Sequence, residues 1–139
     1  MDSDRQLTPF AESAVTGSKL SPASFSFGNY STSEVDTGFK WIDGKSIYKK
    51  TINFGAMPNN TTKNVNHGIT SLSDVILFEG FASTGVGGGN YVALPFIESS
   101  NVTYSMNLRA TATQIQIKTS QDNSTFSRGY VTVYYTKTV

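Results

Sequence analysis

From Glu34 onward, apolar side chains recur at every second position in short runs, and this period is the strongest limit on what the chain can fold into. A period of two sends alternate side chains to opposite faces of an extended strand, whereas a helix needs apolar residues three or four apart. Residues 101–108 set Val102, Tyr104, Met106 and Leu108 against Asn, Thr, Ser and Asn, the clearest such run. Residues 113–119 set Ile115 and Ile117 against Gln114, Gln116 and Lys118, and residues 46–54 group Tyr48, Ile52 and Phe54, with Lys50 interrupting that face. Residues 74–82 contain the continuous apolar run Val75-Ile76-Leu77-Phe78, as expected of a strand covered on both sides. Residues 130–137 are apolar on both faces and read either as a central strand or as one packed on another subunit. Turn chemistry separates these runs at Asp43-Gly44, Pro58-Asn59-Asn60, residues 83–90, Glu98-Ser99-Ser100 and residues 121–124. No helix longer than one turn is predicted after residue 34. The spacing predicts an all-β fold: an antiparallel β-sandwich, of jelly-roll or immunoglobulin-like layout, over residues 34–139.

Residues 1–33 lack the alternation and are read as an extended N-terminal arm, set off by the polar run Gly28-Asn29-Tyr30-Ser31-Thr32-Ser33. Residues 8–17 carry the punctuation of a short helix: Thr8 can cap it, Pro9 suits its first position and Gly17 follows its end. Phe10, Ala11, Ala14 and Val15 would share one face of that helix. Two turns are not stable alone in water, so another surface must cover this face. The same holds for Leu20, Phe25 and Phe27, which are scattered among Ser and Pro. Leu7, Phe10, Val15, Leu20 and Phe25 are therefore the expected anchoring residues. Their cover is either the chain's own sheet or a neighbouring subunit, and the turn-rich stretch between arm and domain favours the neighbour.

Composition excludes several function classes. A chain of 139 residues allows one domain and a short arm. It has no cysteine, which removes disulfides, thiolate metal sites and a Cys nucleophile, and its single histidine, His67, cannot build a zinc centre alone. Eleven basic against ten acidic side chains leave a net charge of +1, too little to draw nucleic acid or an anionic membrane. No segment approaches the ~20 consecutive apolar residues of a membrane helix, so no membrane insertion is expected. Met1-Asp2-Ser3-Asp4-Arg5 lacks the basic and apolar pattern of a secretory signal.

Nothing in the sequence points to catalysis. There is no Gly-x-Ser-x-Gly elbow, and His67 precedes Gly68, where an imidazole is expected to hydrogen-bond the turn. Glu79 and Glu98 could pair for glycoside hydrolysis, but as strand-end carboxylates they fit a solvated role better. The loop Gly85-Val86-Gly87-Gly88-Gly89-Asn90 lacks the spacing of a phosphate cradle, and Asp43 and Asp122 have no neighbouring carboxylates for calcium. No catalytic, cofactor-binding or metal residue is therefore expected. Among one Trp, seven Tyr and nine Phe, Trp41 is expected in the core, where its ring would close the sandwich end. Tyr91 beside the glycine loop, with Asn90 and Asn123, is the candidate receptor-binding or sugar-stacking group.

Residues 37–50 (Thr-Gly-Phe-Lys-Trp-Ile-Asp-Gly-Lys-Ser-Ile-Tyr-Lys-Lys), His67-Gly68-Ile69, and the run Tyr-Val-Thr-Val-Tyr-Tyr-Thr-Lys at 130–137 resemble a small β domain common at the C-termini of bacteriophage fibre proteins. The resemblance covers residues 34–139, and residues 14–20 are similar to the polar, Thr-rich stretches that precede fibre heads. The absence of a shaft repeat favours a short fibre, a head fibre or a capsid or tail decoration. The resemblance implies a structural, non-enzymatic virion protein, assembled in the host cytoplasm, that contacts other virion proteins through its arm and displays its sandwich toward the host surface. By analogy with fibre heads it also implies a homotrimer, with residues 75–82 and 130–137 facing the threefold axis. The alternative is a carbohydrate-binding module whose partner is a host surface glycan; a small glycosidase is the third reading.

Overall fold

Valine, threonine and tyrosine fill residues 130–135, and β-branched and aromatic side chains of this kind fit the pleated surface of a sheet on both faces. In the computed structural model, which describes residues 28–138, this run belongs to the last of eight strands and lies at the centre of the larger of two sheets. In chain order the strands are β1 (Val35–Lys40), β2 (Ser46–Asn53), β3 (Thr62–Asn66), β4 (Leu72–Ser83), β5 (Tyr91–Leu94), β6 (Met106–Ala110), β7 (Gln114–Thr119) and β8 (Arg128–Lys137). One sheet has the order β1-β2-β8-β4-β5 and the other β3-β7-β6, with every pairing antiparallel. The all-β expectation therefore holds for the described residues, with two antiparallel sheets. The predicted arm helix, and Leu7, Phe10, Val15, Leu20 and Phe25, lie outside them.

Both sheets contribute to one core. Val131, Val133 and Tyr135 from β8 join Ile52 from β2 and the adjoining Phe54, while Ile115 and Ile117 from β7 and Met106 from β6 come from the smaller sheet. Each of these side chains is buried, and full burial of one such group stabilises the fold by about 1.5–3 kcal/mol. The alternation read in residues 46–54 and 113–119 is thus the inner face of β2 and β7.

The run Val75–Phe78 serves two faces by means of a β-bulge. The β4/β8 register shifts between Val75 and Leu77, so that Val75 opposes Tyr135 and Phe78 opposes Val133, both on the core side, while Leu77 opposes Tyr134. The extra residue lets Ile76 and Leu77 both reach the outer face.

Two expectations are corrected. Residues 101–108 are not one strand: Val102–Tyr104 form a short 3-10 turn, and the strand begins only at Met106. The Asn101 side chain accepts hydrogen bonds from the Thr103 N–H at 3.1 Å and hydroxyl at 2.7 Å, and this local capping competes with the ladder. Trp41 lies outside the inter-sheet core; it follows β1 in the turn to β2, with its N–H donating to the Lys45 carbonyl at 2.8 Å, and lines the outer face of the larger sheet.

His67 performs the turn role read from its position. It is almost fully buried, its Nε2 lies 3.1 Å from the Thr111 carbonyl, and its Nδ1 accepts from the Ile69 N–H at 3.1 Å. These contacts fix the tautomer with the proton on Nε2 and tie the β3–β4 turn to the β6–β7 turn.

Candidate functional site

The outer face of the five-stranded sheet, away from the core, carries large apolar side chains that remain exposed. Phe39 on β1 is 72% exposed and Leu77 on β4 is 51% exposed. Together with Trp41, Ile47, Ile76 and Tyr134 they line a trough of about 560 Å³. A second trough of about 390 Å³ lies on the same face, lined by Thr51 of β2, Glu79 and Phe81 of β4, and Tyr130 and Thr132 of β8. Within it the Thr51 and Thr132 hydroxyls are 2.8 Å apart across the β2/β8 ladder.

Tyr30 stands where the two troughs meet. Its ring lies over Lys49 Nζ, 4.0 Å from the ring centre, and its hydroxyl is 3.1 Å from that of Tyr134. A cation over a ring face is attracted by the ring's quadrupole, so Lys49 and Tyr134 together hold this side chain on the sheet. The Ser31 carbonyl accepts from the Thr51 N–H at 2.9 Å, which aligns the incoming chain beside β2, and Gly28 forms part of the first trough's wall. The chain therefore reaches the domain across this face.

The second trough leads into an aromatic row. Phe81 lies 5.7 Å from Tyr130 and 6.1 Å from Tyr91 between ring centres, and the Arg128 guanidinium covers Phe81 and Tyr130 at 5.4 and 5.7 Å. The Arg128 Nη1 also donates to Ser83 Oγ at 3.2 Å and the Gly85 carbonyl at 3.3 Å, fixing the base of the β4–β5 loop.

The predicted receptor-binding residues separate on this map. Tyr91 is half exposed at the end of the row, and its phenol oxygen accepts from the Gly87 N–H at 2.9 Å, which lowers its pKa from the ordinary 10.0. Asn90 is its neighbour and closes the loop, its N–H donating to Thr84 Oγ1 at 2.9 Å and its carbonyl accepting from the Thr84 N–H at 3.0 Å. Asn123 is buried, its N–H donating to the Pro58 carbonyl at 3.2 Å and its own carbonyl accepting from the Phe126 N–H, so its side chain is not part of the exposed surface. Glu79 lines the second trough, whereas Glu98 caps the loop after β5 by accepting from Ser100. Among the described residues no three His, Asp or Glu side chains cluster as a metal site, and no helix is long and apolar enough to cross a membrane. Phe39, Leu77, Phe81 and Tyr30 were not read as site residues from sequence; the two-residue spacing of Phe39 and Trp41 was the available signal for that end of the face.

The face also carries a titration signature. The hydrogen bond with Tyr30, and then burial, push the Tyr134 pKa up to about 12. Burial, followed by the Glu34 carboxylate, raises that of Tyr135 as well. Folding thus favours the protonated phenols. The Tyr134 contribution to stability is fully present below the ordinary value of 10.0 and is lost as pH rises from there through about 12. The urea midpoint is expected to be flat to about pH 9 and to fall above about pH 10, less steeply in Tyr30→Phe than in the parent chain. Equal slopes for the two chains would show that Tyr30 does not hold Tyr134.

Comparison of the chain with protein families, with curated proteins and with solved structures finds no match.

Proposed function

We propose that this chain is a structural, non-enzymatic bacteriophage virion protein, a short fibre, head fibre or capsid or tail decoration, anchored by its N-terminal arm and displaying the β domain. The observation that carries this reading is the apolar outer face of the five-stranded sheet, across which the chain arrives from its N-terminal side. Contiguous exposed apolar surface of this kind marks contact with another protein surface. The resemblance of residues 37–50, 67–69 and 130–137 to fibre C-terminal domains supplies the class. β4 and β8, the strands that the resemblance turns toward a threefold axis, both carry the face, which favours a homotrimer whose symmetric closure covers it. β2 pairs with β8 and β3 with β7, a nesting that favours the jelly-roll layout over the immunoglobulin-like one. The arm's apolar residues dock on a neighbouring capsid or tail protein, within particles assembled in the host cytoplasm. A carbohydrate-binding module is the second reading, favoured by half-exposed Tyr91 beside Asn90 at the end of the aromatic row.

Deleting residues 1–27 is expected to leave a β domain by circular dichroism and to abolish incorporation into particles. Incorporation at the parent level would reject the anchoring role. In the same preparation, the solution mass of the full chain should be that of three copies, and a monomer would reject the threefold assembly.

A further inference from the structure

We propose that the outer face of the three-stranded sheet is a binding site for an acidic saccharide, with Arg109 and Lys118 holding its oxyanion and Asn107, Gln116 and Thr62 its hydroxyls. This face is separate from the apolar face and from Tyr91, both of which belong to the five-stranded sheet, and its role is independent of the virion reading.

The strand sequences set the charge of this sheet. β3, β6 and β7 contain Lys63, Arg109 and Lys118 but no Asp or Glu. Lys63 is used within the fold, its Nζ donating to the Phe54 and Ala56 carbonyls at 2.8 Å each. Alternation sends Met106, Ile115 and Ile117 into the core and therefore Asn107, Arg109, Gln116 and Lys118 outward. Among the described residues the ion pair that forms is Lys137 with Glu34, so no carboxylate there neutralises Arg109 or Lys118. The register fixes their arrangement: Asn107 faces Lys118, and Arg109 faces Gln116. The cations thus occupy one diagonal of a square and the amides the other, with diagonal positions about 7–8 Å apart. Thr62 faces Lys118 from β3 on the other side of β7. Together these side chains line a hollow of about 250 Å³. Like charges this close repel, so the pairing does nothing for the stability of the sheet, whereas an oxyanion seated between them is attracted by both.

The side-chain chemistry selects the occupant. The planar fork of Arg109 can pair with a carboxylate, sulfate or phosphate through two parallel N–H bonds, and Lys118 adds a point charge. Side-chain amides and the Thr62 hydroxyl both donate and accept, which is what sugar hydroxyls require. No aromatic ring lines the hollow, so it lacks the stacking surface on which single-stranded nucleic acid is held. Its volume lies below the ~300–1,000 Å³ of pockets that enclose whole drug-sized ligands, which suits one charged sugar of a longer chain. The core lies between the two sheets, so this face points away from the apolar one, and closure of three copies over the five-stranded sheet leaves it open to solvent.

The test is titration of the purified full chain with oligogalacturonate, dextran sulfate and phosphomannan, which carry carboxylate, sulfate and phosphate respectively. At least one is expected to bind, and which one identifies the oxyanion. Arg109→Gln and Lys118→Gln should each weaken that binding about tenfold or more, as loss of a hydrogen bond to a charged group does. Gln116→Ala should weaken it several-fold with no change of charge, while Lys40→Gln on the other sheet and Tyr91→Ala leave it unchanged. The substituted side chains point outward, so the variants should keep the parent's melting temperature. Failure of all three polymers to bind overturns the proposal. Binding that ignores Gln116→Ala, or that falls equally in Lys40→Gln, overturns it as unspecific charge attraction. Binding lost in Tyr91→Ala but kept in Arg109→Gln overturns it in favour of the aromatic row. Tighter binding of a single-stranded oligonucleotide or of polyglutamate overturns it in favour of nucleic acid or an acidic protein segment. These readouts use purified protein, so they succeed or fail separately from particle incorporation.

Discussion

Gly80→Ala is expected to destabilise the domain by about 3 kcal/mol or more, a large effect for a single methyl group. Gly80 lies in β4 between two partners, opposite Val131 of β8 and Leu94 of β5. A Cβ there would collide with the Tyr130 carbonyl oxygen and stand 3.1 Å from both the Cα and a methyl of Val131. The obstructing atoms are mainly backbone of the central strand, so relief requires β4 and β8 to part. Overpacking typically costs about 1–3 kcal/mol, and each ladder hydrogen bond weakened adds up to about 1 kcal/mol. Gly85→Ala is the matched control, because a Cβ at Gly85 meets nothing within 4 Å. Its midpoint in urea should stay within about 0.5 kcal/mol of the parent. Equal midpoints for the two variants would mean that β4 does not approach β8 as described.

Tyr135→Ala is expected to cost about 3–5 kcal/mol, and Tyr135→Phe about 1–3 kcal/mol. The difference separates two roles of one side chain. The ring is fully buried and stacks on Tyr48 with centres 6.0 Å apart, so truncation opens a cavity between the sheets. The hydroxyl donates to Glu34 Oε2 at 2.6 Å, and Lys137 holds the other carboxylate oxygen at 3.0 Å. Removing only the hydroxyl strips a partner from a charged acceptor and loosens the segment that leads into β1. Calorimetry on the two variants checks both values. A phenylalanine variant as stable as the parent would show that the Glu34 tie contributes nothing.

The inner faces of β2, β7 and β8 were legible because a half-buried strand writes its burial into the alternation of its own residues. β3 was not, because Val65 is the sole apolar side chain in Thr62–Asn66; that strand is recruited by pairing with β7 rather than by its own composition. Residues 101–108 misled for the opposite reason, since a perfect alternation was overruled by the capping side chain of Asn101. The outer face was hidden by the bulge in β4. A period of two cannot show that Ile76 and Leu77 both reach one side of the sheet, and without that displacement the trough beside Trp41 has no far wall. Tyr91 stood out through the glycine loop beside it, but the row joining it to Phe81 and Tyr130 depends on cross-strand register, which no single segment carries.

Because β8 sits between β2 and β4, the order of synthesis runs against the order of assembly. On the β8 side of β2, Tyr48 must wait for Tyr135, and Asn53 for Tyr130, before the pairing is complete. Contacts this distant along the chain are reached slowly, since a long loop must close before they form. A nascent chain on the ribosome therefore carries β2 and β4 each with one edge unpaired until residues 128–137 have emerged, and an unpaired strand edge is prone to aggregate over that interval.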